Sequence, residues 1–240
     1  MSTKTNKDNK MADKTGISWT DKTWNPIQGC RKVSSGCLNC YMFREKKRYG
    51  QDPLDVHVSA QATFNSPLRW KEPAKVFTCS WSDWFIEEFD ERRPEAWDII
   101  RRTPHLTYQI LTKRPERIIG NLPIGGCPSN VMLGVTAENQ EQWEKRVPIL
   151  TALGMKNFVS VEPMLGPVEI SPMDGEMVDW VICGGESGPG FREMKKKWAL
   201  SLKAQCKELG IPFFFKQVSG SSKKKCAEIP EELVVQEFPE

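Results

Sequence analysis

Seven short runs of apolar, β-branched or aromatic residues recur along the chain, and helix-prone stretches separate most of them. The runs are WNPI (24–27), VFTCSW (76–81), LTYQILT (106–112), VMLGVT (131–136), FVSVEP (158–163), DWVICGG (179–185) and PFFFKQ (212–217). Candidate helices lie between them at 40–48, 84–102, 115–119, 139–153 and 195–209. The stretch HVSAQATFNSPLRW (57–70) reads as an irregular insertion after the first run. Strands alternating with helices predict βαβ units and a parallel sheet. Several runs are apolar nearly throughout, as strands covered on both faces are. No G-x-G-x-x-G opens a helix after the first run, which weakens the dinucleotide-binding version of such a sheet. The expected fold is therefore α/β, a partial TIM-like (β/α) barrel of six to seven parallel strands over 16–220. A disordered tail is expected at 1–15 and a C-terminal extension at 221–240.

A second pattern supports the barrel. The runs end in polar or small residues: Ser80-Trp81-Ser82-Asp83, Thr112-Lys113-Arg114, Thr136-Ala137-Glu138, Glu162, Gly184-Gly185-Glu186-Ser187 and Lys216-Gln217. In a barrel these ends meet on one rim, where active sites of the fold sit. One polar residue after a strand is usually a turn or a cap. A succession of them, with charges abutting apolar strands, points to a rim that does chemistry.

Composition adds little and excludes some classes. The 240 residues are 39% hydrophobic and 27% charged, as in ordinary soluble proteins, and are enough for one large domain. No apolar run reaches the ~18 residues of a membrane span, and the polar N-terminus lacks the apolar region of a secretory signal, so a cytoplasmic protein without a membrane partner is expected. A net charge of +3 permits a nucleic-acid partner without arguing for one. In a reducing compartment the eight cysteines are thiols or metal ligands. Cys79, Cys127, Cys183, Cys206 and Cys226 are scattered singly and read as buried filler, Cys79 inside a strand.

Cys30, Cys37 and Cys40 are different, because their C-x6-C-x2-C spacing suits a metal site directly after the first strand. A structural zinc would need a fourth ligand, and His57 and His105 are the only histidines. A redox pair would use Cys37 and Cys40 and leave Cys30 without a role. A [4Fe–4S] cluster accounts for all three if its fourth iron stays open to nitrogen and oxygen ligands.

The motifs ISWTDKTWNPIQGC, the three-cysteine loop ending in Tyr41, SDWF after VFTC, ILTKRPERI, LGVTAEN, SVEPMLGPV, CGGESGPGFR and PFFFKQ follow in that order. Together, over about Gly16 to Gly220, they resemble the phage and bacterial three-Cys-motif family related to radical S-adenosylmethionine (SAM) enzymes, often encoded beside a three-Cys-motif partner protein. The resemblance implies a radical-SAM-like barrel, a [4Fe–4S] cluster on Cys30, Cys37 and Cys40, and SAM at its open iron. It departs from the commonest C-x3-C-x2-C loop in its longer first gap and in Asn39, where an aromatic is usual, with Tyr41 following the last cysteine.

The activity so implied is reductive cleavage of SAM to a 5′-deoxyadenosyl radical, the protein supplying binding, orientation and exclusion of water. Expected cofactor contacts are Tyr41, Ser80, Ser82, Asp83, Thr136, Glu138, Gly184, Gly185, Glu186 and Ser187. Lys113, Glu162 and Lys216 are the candidate catalytic residues. A nucleobase of phage DNA, such as a hypermodified thymidine, is the candidate substrate, with Trp81, Trp84, Arg114 and Arg192 as rim groups for it. The competing expectation is a non-catalytic barrel, holding zinc or a cluster, that binds a partner protein or nucleic acid.

Overall fold

A computed structural model describes residues 15–240, so the tail expected at 1–15 lies, save for its last position, outside the described residues. Seven parallel strands form one sheet: β1 (Lys22–Trp24), β2 (Ala74–Thr78), β3 (Leu106–Thr112), β4 (Val131–Thr136), β5 (Asn157–Val161), β6 (Val181–Gly184) and β7 (Phe213–Gln217). Their order in space follows their order in the chain, each pairing in parallel with the next. A sheet wound in one direction has no topological reversal and curls instead, here into a half-barrel whose first and last strands stay apart.

Alternation along the strands divides the core in two. Val76, Ile110, Leu133, Val159, Cys183 and Phe215 face outward. They pack against Trp97 and Ile100 of α2 (Arg93–Arg102), Trp143 and Val147 of α3 (Gln140–Thr151), and Leu202 and Cys206 of α4 (Lys196–Leu209). On the concave side Phe77, Met132, Phe158, Ile182 and Phe214 form a second cluster with Trp19 and Trp180. The Trp19 and Phe77 rings meet edge to face, centroids 4.7 Å apart. This aromatic floor fills the lower half of the concavity. Two or four residues beyond Leu111, Met132, Phe158 and Phe214 on the same face come Lys113, Thr136, Glu162 and Lys216, at the C-terminal end of the concave side.

The C-terminal residues pack back on the last strands. Gln236 bridges Phe214 antiparallel, Leu233 is fully buried, and Trp180 Nε1 donates to the Glu237 carbonyl at 2.9 Å. Among the described residues no helix is long and apolar enough to cross a membrane.

Four local expectations are corrected. The first strand is Lys22–Trp24 rather than 24–27, since Pro26 has no N–H to give a ladder. The helix expected at 84–102 is α-helical only from Arg93, where Pro94 fits the first turn, and a 3-10 turn at Glu87–Phe89 precedes it. The segment 57–70 is regular in part: His57–Val58 pairs antiparallel with Ile27–Gln28, and helical turns at Gln61–Phe64 and Ser66–Arg69 follow. Cys79 is not inside a strand. β2 ends at Thr78, and Cys79 takes φ +56°, a left-handed conformation that costs a non-glycine residue energy and recurs at functional rims.

Candidate functional site

Beyond β1 the chain loops across the C-terminal ends of the strands before entering α1 (Tyr41–Arg48). Gly29 N donates to the Trp81 carbonyl and Cys30 N to the Pro53 carbonyl, at 3.0 and 3.1 Å. At Gly29 (φ +82°) a Cβ would overlap the Asp55 backbone, so only glycine lets the loop pass there. A 3-10 turn over Ser35–Cys37 follows, and α1 begins directly after Cys40. Cys37 is buried, while Cys30 and Cys40 are half-buried.

Three ion pairs hold this loop, and each sends at least one bond into it. Arg114 Nη1 meets Asp83 Oδ2 at 2.9 Å, and Arg114 Nη2 donates to the Arg31 carbonyl at 3.0 Å. Asp83 also accepts from Thr112 Oγ1 at 2.7 Å and from the Phe85 and Lys113 amides at 3.0 Å. Glu138 Oε2 accepts from Arg146 Nη1, and its Oε1 accepts the Gly36 N–H, both at 2.9 Å. Glu186 pairs with Arg192 and accepts from Asn39 Nδ2 at 2.9 Å, while Arg192 Nη1 donates to the Ser35 carbonyl at 2.9 Å. Residues 31, 35, 36 and 39 are thus tied to the ends of β2, β3, β4 and β6. Residues 31, 35 and 36 lie in the six-residue gap between Cys30 and Cys37, and Asn39 lies between Cys37 and Cys40.

Charge follows the same geometry. Burial works to raise the Glu138 and Glu186 carboxyls, yet the Ser34 hydroxyl and Arg146 at Glu138, and Arg192 and Asn39 at Glu186, outweigh it and hold both below the usual glutamate range. Burial first, and then the Asp83 carboxylate, push the Cys30 thiol up to about 12 despite the Arg114 guanidinium nearby. A metal would have to displace that proton.

The expected cofactor contacts divide accordingly. Asp83, Glu138 and Glu186 are buried and spend their carboxylates on arginines, and Glu138 and Glu186 also on the cysteine loop. Ser80 Oγ donates to Asn25 Oδ1 at 3.1 Å and Ser82 Oγ to the Gly29 carbonyl at 2.5 Å, which pins the loop's stem. The Tyr41 hydroxyl donates to the Ser80 carbonyl at 2.6 Å, tying the residue after Cys40 to the end of β2. A Cβ at Gly185 would overlap the Ser219 backbone, and the Ser187 carbonyl accepts from Arg44 Nη1 at 3.2 Å. The close approaches at this glycine-rich turn are thus to the protein's own chain. Gly184 faces Glu162, where a Cβ would sit 3.4 Å from the carboxylate carbon.

The candidate catalytic groups converge instead on the concave mouth. Lys216 Nζ and Glu162 Oε1 are 2.5 Å apart, and Lys113 Nζ donates to Thr136 Oγ1 at 3.1 Å. The groups expected to receive nucleic acid fare less well. Trp84 is fully buried in the outer core, and Arg114 and Arg192 are spent on Asp83 and Glu186. Trp81 alone of the four stays half-exposed and unclaimed by those pairs.

Arg146, Arg192 and Asn39 were the anchors that sequence reasoning missed as such. A signal for Arg146 existed: it lies in the buried stripe of α3 with Trp143, Val147 and Leu150, where an arginine needs an acid partner. Among the described residues, no three His, Cys, Asp or Glu side chains are arranged to hold a metal ion. His57 is beside Asp55, and His105 meets the Trp70 carbonyl, so both are engaged in their own exposed neighbourhoods. The donor set on the loop is three thiols, which suits a cluster with one open iron. Gathering them around it requires their side chains to turn from their present positions.

No curated protein and no solved structure matches the chain significantly. A family described as a protein of unknown function (DUF5131) matches residues 14–237, nearly the full length. The chain belongs to the DUF5131 family.

Proposed function

We propose that the protein is a SAM-dependent radical enzyme in which Cys30, Cys37 and Cys40 hold a [4Fe–4S] cluster with SAM at the remaining iron. The observation that carries this reading is the three-thiol loop, anchored by ion pairs to four strand ends on the C-terminal rim of a parallel half-barrel. Active sites of such folds occupy that rim. When bound, the cluster supplies the electron that opens a carbon–sulfur bond of SAM.

The chain's own residues bind, orient and shield. Asp83–Arg114, Glu138–Arg146 and Glu186–Arg192 fix the loop so that its thiols stay on the rim. The floor of Trp19, Phe77, Phe158 and Trp180 closes the concavity from below and keeps water from entering through it. Glu162, Lys216, Lys113 and Thr136 line the open end, where substrate would lie. A nucleobase of phage DNA is the proposed substrate, and a three-Cys-motif protein the proposed partner.

Anaerobic reconstitution tests the ligand assignment. The native chain is expected to take up about four irons with matching sulfide, and Cys37→Ala to lose them. Undiminished iron in Cys37→Ala would contradict it, and a colourless protein with stoichiometric zinc would support the non-catalytic barrel instead. Nucleosides of DNA made with and without the protein, compared by mass spectrometry, test the substrate; identical profiles would remove DNA modification.

A further inference from the structure

The charges at the strand ends do not balance. Asp83 is matched by Arg114, Glu138 by Arg146, Glu162 by Lys216 and Glu186 by Arg192. Lys113 is left over: among the described residues no carboxylate pairs with its ammonium. Asp83 takes only its backbone N–H, at 3.0 Å, and has its own charge met by Arg114. Among the described residues, the one side-chain partner of Lys113 Nζ is the neutral hydroxyl of Thr136, on the neighbouring strand at 3.1 Å.

Lys113 is partly buried, and Thr136 is fully so. A partly desolvated ammonium with three donors and one neutral partner has two donors unspent. Thr136 has no solvent exposure, so its hydroxyl holds the ammonium in place. Lys113 follows Leu111 on the concave face of β3, on the same side of the sheet as the already neutralised Glu162–Lys216 pair. An oxyanion would complete the arrangement, as ionised acceptors form the stronger bonds to ammonium.

We propose that Lys113 Nζ, held in place by Thr136 Oγ1, is an oxyanion-binding point that takes a phosphate or carboxylate group of the substrate across the mouth of the half-barrel. The proposal rests on the reading of this rim as the active site, and it deepens that reading by assigning the substrate a negative charge. Lys113 binds and orients; the bond-breaking chemistry lies elsewhere on the rim.

The test is a titration of the full chain, at constant ionic strength, with sodium phosphate and separately with sodium acetate, followed through amide NMR shifts of Lys113, Thr136 and their neighbours. Saturable shifts are expected there, weakened at least about tenfold in Lys113→Met and largely kept in Lys113→Arg. The tighter of the two anions names the class. Thr136→Val should weaken binding severalfold, and with Lys113→Arg it carries the test if Lys113→Met does not fold. No saturable shift with either anion, or shifts that persist unchanged in Lys113→Met, would overturn the proposal. So would a Lys113→Met protein that retains phosphate but loses SAM, because the cation would then belong to the cofactor. Failure of the enzyme reading looks different: a protein that binds anion through Lys113 yet leaves SAM intact under reduction keeps this site and loses the radical chemistry.

Discussion

The backbone N–H of Gly36 donates to Glu138 Oε1 at 2.9 Å, a bond that spans 102 residues of chain and joins the cysteine loop to the end of β4. The same carboxylate is fully buried and paired with Arg146, whose other bond, at 2.7 Å, goes to the Thr136 carbonyl. The loop's conformation is therefore set by the barrel before any metal arrives.

Removing that carboxylate strands a buried guanidinium. Glu138→Ala is expected to cost about 3–5 kcal/mol, read as a lowered urea midpoint. Gly36→Ala keeps both members of the Glu138–Arg146 pair but sets a methyl 2.8 Å from the Glu138 carboxylate carbon, so the loop has to move off its anchor. It should weaken iron retention while moving the urea midpoint much less. Equal losses in both measurements would mean that the contact is general packing and not a loop anchor.

The Asp83–Arg114 pair has side chains only 7% and 10% exposed, so its members should couple strongly. Arg114→Met alone leaves Asp83 buried with its charge unmet, at a cost of about 3–5 kcal/mol. Adding Asp83→Asn should recover part of that loss, since an amide needs no counterion. A double variant no more stable than the single one would show that the arginine acts through its bond to the Arg31 carbonyl instead.

Acid should release the loop through Glu186. Its folded-state acidity is stronger than the ordinary value of 4.5, held there against burial by Arg192 and Asn39. A carboxyl of depressed pKa adds stability above its unfolded value and loses it as pH falls through its folded value. Glu186→Gln is therefore expected to be less stable than the native chain near pH 7, with the two urea midpoints drawing together as the pH falls below 4.5. A gap that stays constant into acid would exclude this carboxylate as the titrating group.

The sheet was legible because its central strands are largely apolar runs bounded by turn residues. VMLGVT and FVSVEP can only be strands covered on both faces, and β4 and β5 are buried throughout. The rim was legible as a place and not as a set of contacts. Glu138 reads locally as a polar residue after a strand, and nothing nearby announces that it answers Gly36, far back in the chain. Trp84, Arg114 and Arg192 read as free rim groups for the same reason. Asp83, the partner of Arg114, and Ser35, which accepts from Arg192, lie in other loops that the curl of the sheet brings near, while Glu186 answers Arg192 within one loop. Trp24 was placed at the start of its strand and lies at the end, because the alternating stretch before it, Lys22 and Thr23, is too short to register as a period.

The measurement closest to the central claim is the fate of SAM. Anaerobically reconstituted protein, reduced with dithionite in the presence of SAM, is expected to release 5′-deoxyadenosine, and Cys30→Ala, Cys37→Ala and Cys40→Ala to release none. Intact SAM after reduction of a protein that demonstrably carries its iron and sulfide would contradict the account.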